Sequence, residues 1–223
     1  MFDLVEREVE IIEVLNGFTE NNLDFIVVGG YAVSAYKRRF SIDADVVIKK
    51  EDRAKFEDIL KKRGYRKGTA RRLEDAYSSE YARYDKPELR TGVDLLIGGI
   101  VSRQTGASFG IDLLWSNSDV MEIRGSMRAV NARVPNREML IAMKLHSGRL
   151  TDFRDVIALA YNLDIDKIRR IISRGDRDVL KRHIKSLGEM AGKQDFQDSF
   201  KGVFQEKNYR TDMKEVKKLL TLV

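Results

Sequence analysis

The stretch FIVVGGYAVSAYKRRFSIDADVVI, residues 25–48, predicts a strand, a glycine turn, a short helix and a second strand. The apolar runs at its two ends, Phe25–Val28 and Val46–Ile48, are rich in β-branched residues, which is typical of buried strands. Two carboxylates, Asp43 and Asp45, lie at the start of the second strand. Because side chains alternate along a strand, we expect these two to project from the same face.

This pair of carboxylates indicates a site for a metal ion, because two bare carboxylates on one face repel each other. Mg²⁺ prefers a few carboxylates together with water and substrate oxygens, so it suits such a pair. The Gly29-Gly30 turn, shortly before the pair, favours this interpretation. Two plainer alternatives stay open: the aspartates lie at a solvated strand end, and the glycines only join a strand to a helix.

The composition limits the classes of protein to which the chain can belong. Its 223 residues allow one large or two small domains. No apolar run approaches the roughly 18–20 residues of a membrane span and no export signal is evident, so we expect a cytoplasmic protein without membrane contact. The absence of cysteine excludes disulfides and thiolate metal sites. The net charge of +6 is weak evidence for a polyanionic partner, since both signs are mixed along the chain.

Apolar periodicity predicts an α/β (α+β) fold: a small mixed β-sheet flanked by helices, followed by an all-helical C-terminal part. A third strand, Thr91–Ile97, carries the carboxylate Asp94. Asp112 lies in a near-repeat of this motif but in a helical context, so we favour Asp94. The other predicted elements are helices over 3–21, 31–37, 51–63, 111–115, 138–146, 151–161 and from 164 onward, strands over 121–123 and 127–134, and a hairpin or mobile segment over 66–90.

Four motifs in order carry a resemblance to a known family. Gly29-Gly30, twelve further residues and Asp43-Ala44-Asp45 resemble the signature of the DNA polymerase β-like nucleotidyltransferase superfamily, and Asp94 resembles its third carboxylate. The stretch VPNREMLIAMKLHSGRLTDFRDVIAL, residues 134–159, is similar to the helical part of the AbiEii/AbiGii toxin-like branch, as is RFSIDAD, residues 39–45. The C-terminal 60 residues lie outside the resemblance.

The resemblance implies a nucleotidyltransferase fold in a catalytic domain over residues 1–135, with a helical domain over 136–223. It implies transfer of a nucleoside monophosphate from an NTP to a hydroxyl acceptor, with two Mg²⁺ ions that stabilise the attacking and leaving oxygens. The metal ligands and catalytic carboxylates would be Asp43, Asp45 and Asp94. The nucleotide-binding residues would be Gly29, Gly30, Arg39, Ser41, Lys144 and Arg149.

The acceptor and the partners stay open. RNA such as tRNA, a protein or a small molecule such as an aminoglycoside could accept the nucleotide, and an antitoxin protein is a further potential partner of a toxin-like enzyme. The oligomeric state is open. The alternative function is a catalytically silent protein of the same fold that binds nucleotide or nucleic acid. We expect the carboxylates of Asp43, Asp45 and Asp94 to converge within metal-bridging reach. Carboxylates far apart, or an arginine or lysine at their centre, would refute the interpretation as an enzyme.

Two features of the helical part also have plainer interpretations. Lys144 could be an ordinary solvated lysine. Asp152 and Asp155 lie three residues apart on one helix face. In the plainer interpretation they have no role beyond ion pairs with Arg149 and Arg154.

Overall fold

A seven-stranded mixed sheet dominates the first part of the chain in the computed structural model, which describes residues 4–68 and 80–222. Its spatial order is β3-β4-β5-β2-β1-β9-β8, while β6 and β7 form a separate two-stranded ladder. The strands are β1 (Phe25–Val28), β2 (Asp43–Ile48), β3 (Arg66–Lys67), β4 (Tyr81–Lys86), β5 (Thr91–Ile97), β6 (Gly99–Val101), β7 (Ser108–Gly110), β8 (Ser118–Arg124) and β9 (Ala129–Pro135).

The central strands are short, and each is bounded by turns. Helices cover them, so their residues are largely buried. β1 is antiparallel to β2 and parallel to β9, and β2 is parallel to β5. Four helices accompany the sheet: α1 (Leu4–Glu20), α2 (Gly29–Ser34), α3 (Arg53–Lys62) and α4 (Ile111–Ser116). The rings of Phe18 on α1 and Phe56 on α3 pack edge to face with centroids 4.8 Å apart, and Phe25 completes this cluster. Aromatic burial of this kind anchors both helices to the core.

The second part of the chain is helical, with α5 (Arg137–Ser147), α6 (Leu150–Leu159), α7 (Ile165–Ile172), α8 (Arg177–Ala191), α9 (Gln194–Phe204) and α10 (Met213–Leu219). The Asn136 side chain caps α5 by accepting a hydrogen bond from the Met139 amide at 3.0 Å. Gly148, with φ of 66°, ends that helix in the left-handed conformation. The chain divides into one unit of residues 1–101 and 109–135 and another of 102–108 and 136–223.

The predicted fold class, a mixed sheet flanked by helices and followed by a helical part, is confirmed. The short helix expected over 31–37 instead begins at Gly29, whose φ of +65° lets the chain turn directly from β1 into α2. The segment 66–90 contains β3 and β4, and its residues 69–79 lie outside the described residues. None of the helices in the described ranges has the length and apolar composition that crossing a bilayer requires. The assignment of a catalytic and a helical domain stays a prediction.

Candidate active site

Three aspartates project from one face of two neighbouring strands. Asp45 on β2 lies in register with Asp94 on β5, and Asp43 lies beside Gly92. Ala44, between the two aspartates of β2, is fully buried, as the alternation of side chains along a strand requires. Asp112, the weaker candidate for a third carboxylate, lies in the first turn of α4. The sheet therefore brings Asp94 to the pair on β2.

The glycine turn lies directly against these acids. A Cβ atom at Gly29 would come within 1.9 Å of Asp45 Oδ2, and one at Gly30 within 2.5 Å of Ser41 Oγ and 3.4 Å of Arg39 Nη2. Both glycines are thus required by close packing, and Gly29 also by its positive φ. The plainer interpretation of this turn as a simple connection does not account for these approaches. The turn, Asp45, Ser41 and Arg39 form one cluster.

The loop before β2 is held by hydrogen bonds to its backbone. The Ser41 hydroxyl donates to the Asp43 carbonyl oxygen at 3.2 Å, and the buried Tyr31 hydroxyl donates to the Ser41 carbonyl oxygen at 3.1 Å. Thr91, at the start of β5, donates through its hydroxyl to the Ile42 carbonyl oxygen. These bonds fix the position from which Asp43 leaves the loop and enters the sheet.

Arg83 on β4 lies between the carboxylates of two of the aspartates. Its Nη1 lies 3.0 Å from Asp94 Oδ2, its Nη2 lies 3.0 Å from Asp43 Oδ1, and its Nε lies 2.7 Å from Asp85 Oδ1. The side chain reaches β2 by crossing over Gly92, where a Cβ atom would lie 2.4 Å from Arg83 Nη2. One guanidinium therefore contacts three carboxylates, which lie on the three strands β2, β4 and β5.

Arg83 lies where the criterion set out from the sequence allows no arginine or lysine in an enzyme, and it is the residue that sequence reasoning missed. The signal was present: Arg83 and Asp85 share one face of β4, and Gly92, two residues before Asp94, leaves a gap on the neighbouring strand β5. By that criterion the contact favours the catalytically silent alternative.

The electrostatics of Asp94 differ from those of an ordinary surface aspartate. Burial, followed by the negative charge of Asp45, raises the pKa of Asp94 to about 7, although Arg83 acts in the opposite direction. Its Oδ1 atom is buried and has no hydrogen-bond partner among the residues that the structure describes. A buried carboxylate oxygen without a partner is costly, so Asp94 retains capacity to bind a proton or a cation.

The donor set has the chemistry that Mg²⁺ prefers, since it consists of carboxylate oxygens, one of them unpartnered. Its present arrangement is less suited, because Arg83 contacts an oxygen of both Asp43 and Asp94. In the parts of the chain that the structure describes, no three ligating side chains form a group that could hold a metal ion as they stand. The residue types fit a divalent cation, but Arg83 contacts carboxylate oxygens that such a cation would need.

Lys144 and Arg149 belong to the helical unit and form ion pairs there. Lys144 Nζ lies 2.9 Å from Asp152 Oδ1 and 2.8 Å from Asp155 Oδ2, and both aspartates are fully buried. Arg149 Nε lies 2.7 Å from Asp152 Oδ2. Burial raises the pKa of Asp152, but Lys144 and then Arg149 outweigh it and lower that pKa to about 2. Lys144 is therefore not an ordinary solvated lysine, and its role in nucleotide binding stays a prediction.

Comparison with known proteins gives the family of the chain. A family model described as uncharacterised nucleotidyltransferase matches residues 7–188. A search of curated proteins gave no match.

The solved structures that match this chain include the following three. The antibiotic-resistance factor ANT(2'')-Ia, in complex with adenylyl-2''-tobramycin, has 15% identity and a TM-score of 0.52, covering 74% of this chain and 95% of its own. The lincosamide antibiotic adenylyltransferase LnuA has 18% identity and a TM-score of 0.46, over 68% of this chain and 95% of its own. JHP933 from Helicobacter pylori has 14% identity and a TM-score of 0.48, over 98% of this chain and 89% of its own. At 15% identity, the likeness to ANT(2'')-Ia concerns the fold alone.

Proposed function

The chain belongs to this family of uncharacterised nucleotidyltransferases, and we propose that it transfers a nucleoside monophosphate from an NTP to a hydroxyl acceptor in a reaction that requires Mg²⁺. The family match confirms the resemblance to nucleotidyltransferases. The nearer link to the AbiEii/AbiGii toxin-like branch stays a prediction. The observation that carries the proposal is the cluster of Asp43, Asp45 and Asp94 on one sheet face, against a turn without side chains.

The three aspartates would hold the cations. When bound, two Mg²⁺ ions would stabilise the charge that develops on the attacking and leaving oxygens of the transfer. The sheet contributes by fixing the relative positions of the ligands, because Asp45 and Asp94 are directly paired in register. Because the ligands lie on strands, they are already held in position, and no loop has to become ordered before the site has its geometry.

Asp94 would also accept the proton of the acceptor hydroxyl. Without a bound cation, burial and the charge of Asp45 raise the pKa of Asp94 to about 7, near the working pH of a general base. A cation on the same carboxylate would lower this pKa, so the proposed proton transfer depends on how the cations and the hydroxyl share the site. This role requires that the hydroxyl approach from the face that Asp94 shares with Asp45.

The glycine turn would receive the phosphates. Because neither Gly29 nor Gly30 has a side chain, the backbone can approach a bound anion closely. Arg39 lies beside Gly30 and would supply a positive charge, and Ser41 would supply a hydroxyl. In the helical unit, Lys144 and Arg149 are proposed to neutralise phosphate charge, as the resemblance implies.

The acceptor is proposed as RNA such as tRNA, a protein or a small hydroxyl compound, and a toxin role with an antitoxin partner belongs to the same proposal. A catalytically silent nucleotide- or nucleic-acid-binding protein is the second candidate, because Arg83 lies between Asp43 and Asp94. The two candidates differ in whether a covalent product forms, which a labelling experiment can measure directly.

The experiment incubates the full chain with each α-labelled NTP and Mg²⁺, in turn with total RNA, a cell protein extract and an aminoglycoside. We expect label transfer to one acceptor class and its loss in D43N, D45N and D94N. D112N is the matched control, because Asp112 lies in nearly the same local sequence but on α4, and it should leave transfer unchanged. Binding of NTP without transfer, unaffected by the three substitutions, would overturn the proposal and favour the silent protein.

A further inference from the structure

We propose that Arg83 competes with the divalent cation for the carboxylates, and so sets the cation concentration at which the site is loaded. This inference rests on the proposed function, because it assumes that Asp43 and Asp94 are metal ligands. It assigns to Arg83 a positioning role that neither the family match nor the fold likeness contains.

Competition follows from the distances. One guanidinium contacts Asp43 Oδ1 and Asp94 Oδ2, each at 3.0 Å. Mg²⁺ needs carboxylate oxygens at roughly 2.0–2.1 Å, and the guanidinium now contacts an oxygen of each carboxylate that would hold it. Charge-assisted hydrogen bonds to both carboxylates make the arginine a strong competitor.

The surroundings allow Arg83 to leave without becoming an unpaired charge. Its Nε is already bonded to Asp85, two residues along the same strand and outside the predicted metal set. Its side chain is 26% exposed, so water can solvate the guanidinium once it moves. Gly92, over which the side chain passes, presents no side chain that would block the movement. Arg83 would therefore keep Asp85 as a partner when it leaves the other two carboxylates.

The two oxygens of Asp94 differ in their surroundings. Among the described residues its buried Oδ1 atom has no hydrogen-bond partner, whereas its Oδ2 atom accepts a hydrogen bond from Arg83. Asp43 and Asp94 would hold a cation most fully once Arg83 no longer contacts them. Arg83 would then keep its ion pair with Asp85.

The test measures Mn²⁺ binding to the full chain by electron paramagnetic resonance, without nucleotide. We expect R83Q to bind Mn²⁺ roughly 10- to 100-fold more tightly than the wild type, because the cation no longer breaks charge-assisted hydrogen bonds. R83K retains the charge but cannot span two carboxylates, so its affinity should lie between the two. R66Q is the matched control: Arg66, on β3, forms an ion pair with Glu88 at the surface, and its loss should leave the affinity unchanged.

If Arg83 only held the carboxylates in place, R83Q should give the opposite result. Loss of the arginine would then disorder the carboxylates and weaken Mn²⁺ binding. Unchanged or weaker Mn²⁺ affinity in R83Q, or in R83K if R83Q does not fold, overturns the competition. In that case D43N and D94N still test the proposed metal site, because both should weaken binding. If neither of them alters Mn²⁺ binding, the metal assignment within the proposed function fails instead, and the competition fails with it.

Discussion

Substitution of Gly29 by alanine tests the contact between the glycine turn and Asp45. The added Cβ atom would lie 1.9 Å from Asp45 Oδ2, whereas ordinary contact begins at 3.4 Å, so the carboxylate must retreat by about 1.5 Å. A displacement of about 1 Å in a catalytic group can cost on the order of 100-fold in rate. We therefore expect G29A to lower label transfer at least about 100-fold. The positive φ adds a conformational cost of about 1–2 kcal/mol in stability.

Gly98 offers a matched control for the backbone cost. Its φ of +76° is as unfavourable for alanine as that of Gly29, but an added Cβ atom would meet no atom of the described residues within 4 Å. Urea unfolding should thus show a loss of about 1–2 kcal/mol in both G29A and G98A. Only G29A should lose activity, because only there does the Cβ displace a carboxylate. Equal transfer rates in the two variants, at equal stability, would refute the proposed role of the turn.

Three further expectations concern stability and are measured by urea unfolding. Burial lowers the pKa of His146 to about 4, whereas the unfolded value is near 6.5. The free energy of unfolding should therefore be highest above pH 6.5 and fall by up to about 3 kcal/mol as the pH drops toward 4. H146Q should remove that pH dependence. K144A leaves two buried aspartates without their shared lysine and should cost about 3–5 kcal/mol, whereas K181A, on the exposed face of α8, should be nearly neutral. N136A removes the cap of α5 and should cost about 1 kcal/mol, and an unchanged midpoint would show that the cap is dispensable.

Much of the sheet could be predicted because its signals are local. The β-branched runs before Gly29 and after Asp45 coincide with β1 and β2, and the alternation of side chains placed Ala44 inside. β5 has the predicted bounds Thr91–Ile97. Element boundaries were less predictable where one residue's conformation decides them, as at Gly29, where the helix begins earlier than apolar spacing indicates.

The environment of the candidate site was less predictable than its residues. The motif spacing predicted Asp43, Asp45 and Asp94 as site residues, which stays a prediction, but it did not predict that Arg83 contacts two of them. That contact depends on the register of β4 with β5 and of β5 with β2, which pairs residues distant in the chain. Likewise, the sequence suggested ion pairs for Asp152 and Asp155, but only folding revealed that both share Lys144 in a buried cluster.

By itself, the sequence indicated the strands and the glycine turn, because periodicity and turn residues act over a few positions at a time. The class of protein came from the resemblance of its motifs to a known family, and the family match bears it out. The tertiary structure decided the charge balance of the three aspartates. Burial raises the pKa of Asp94, and Gly92 opens the route by which Arg83 reaches Asp43. Electrostatic interactions depend on distances between separate strands and on exclusion of water, and both exist only after the sheet has assembled.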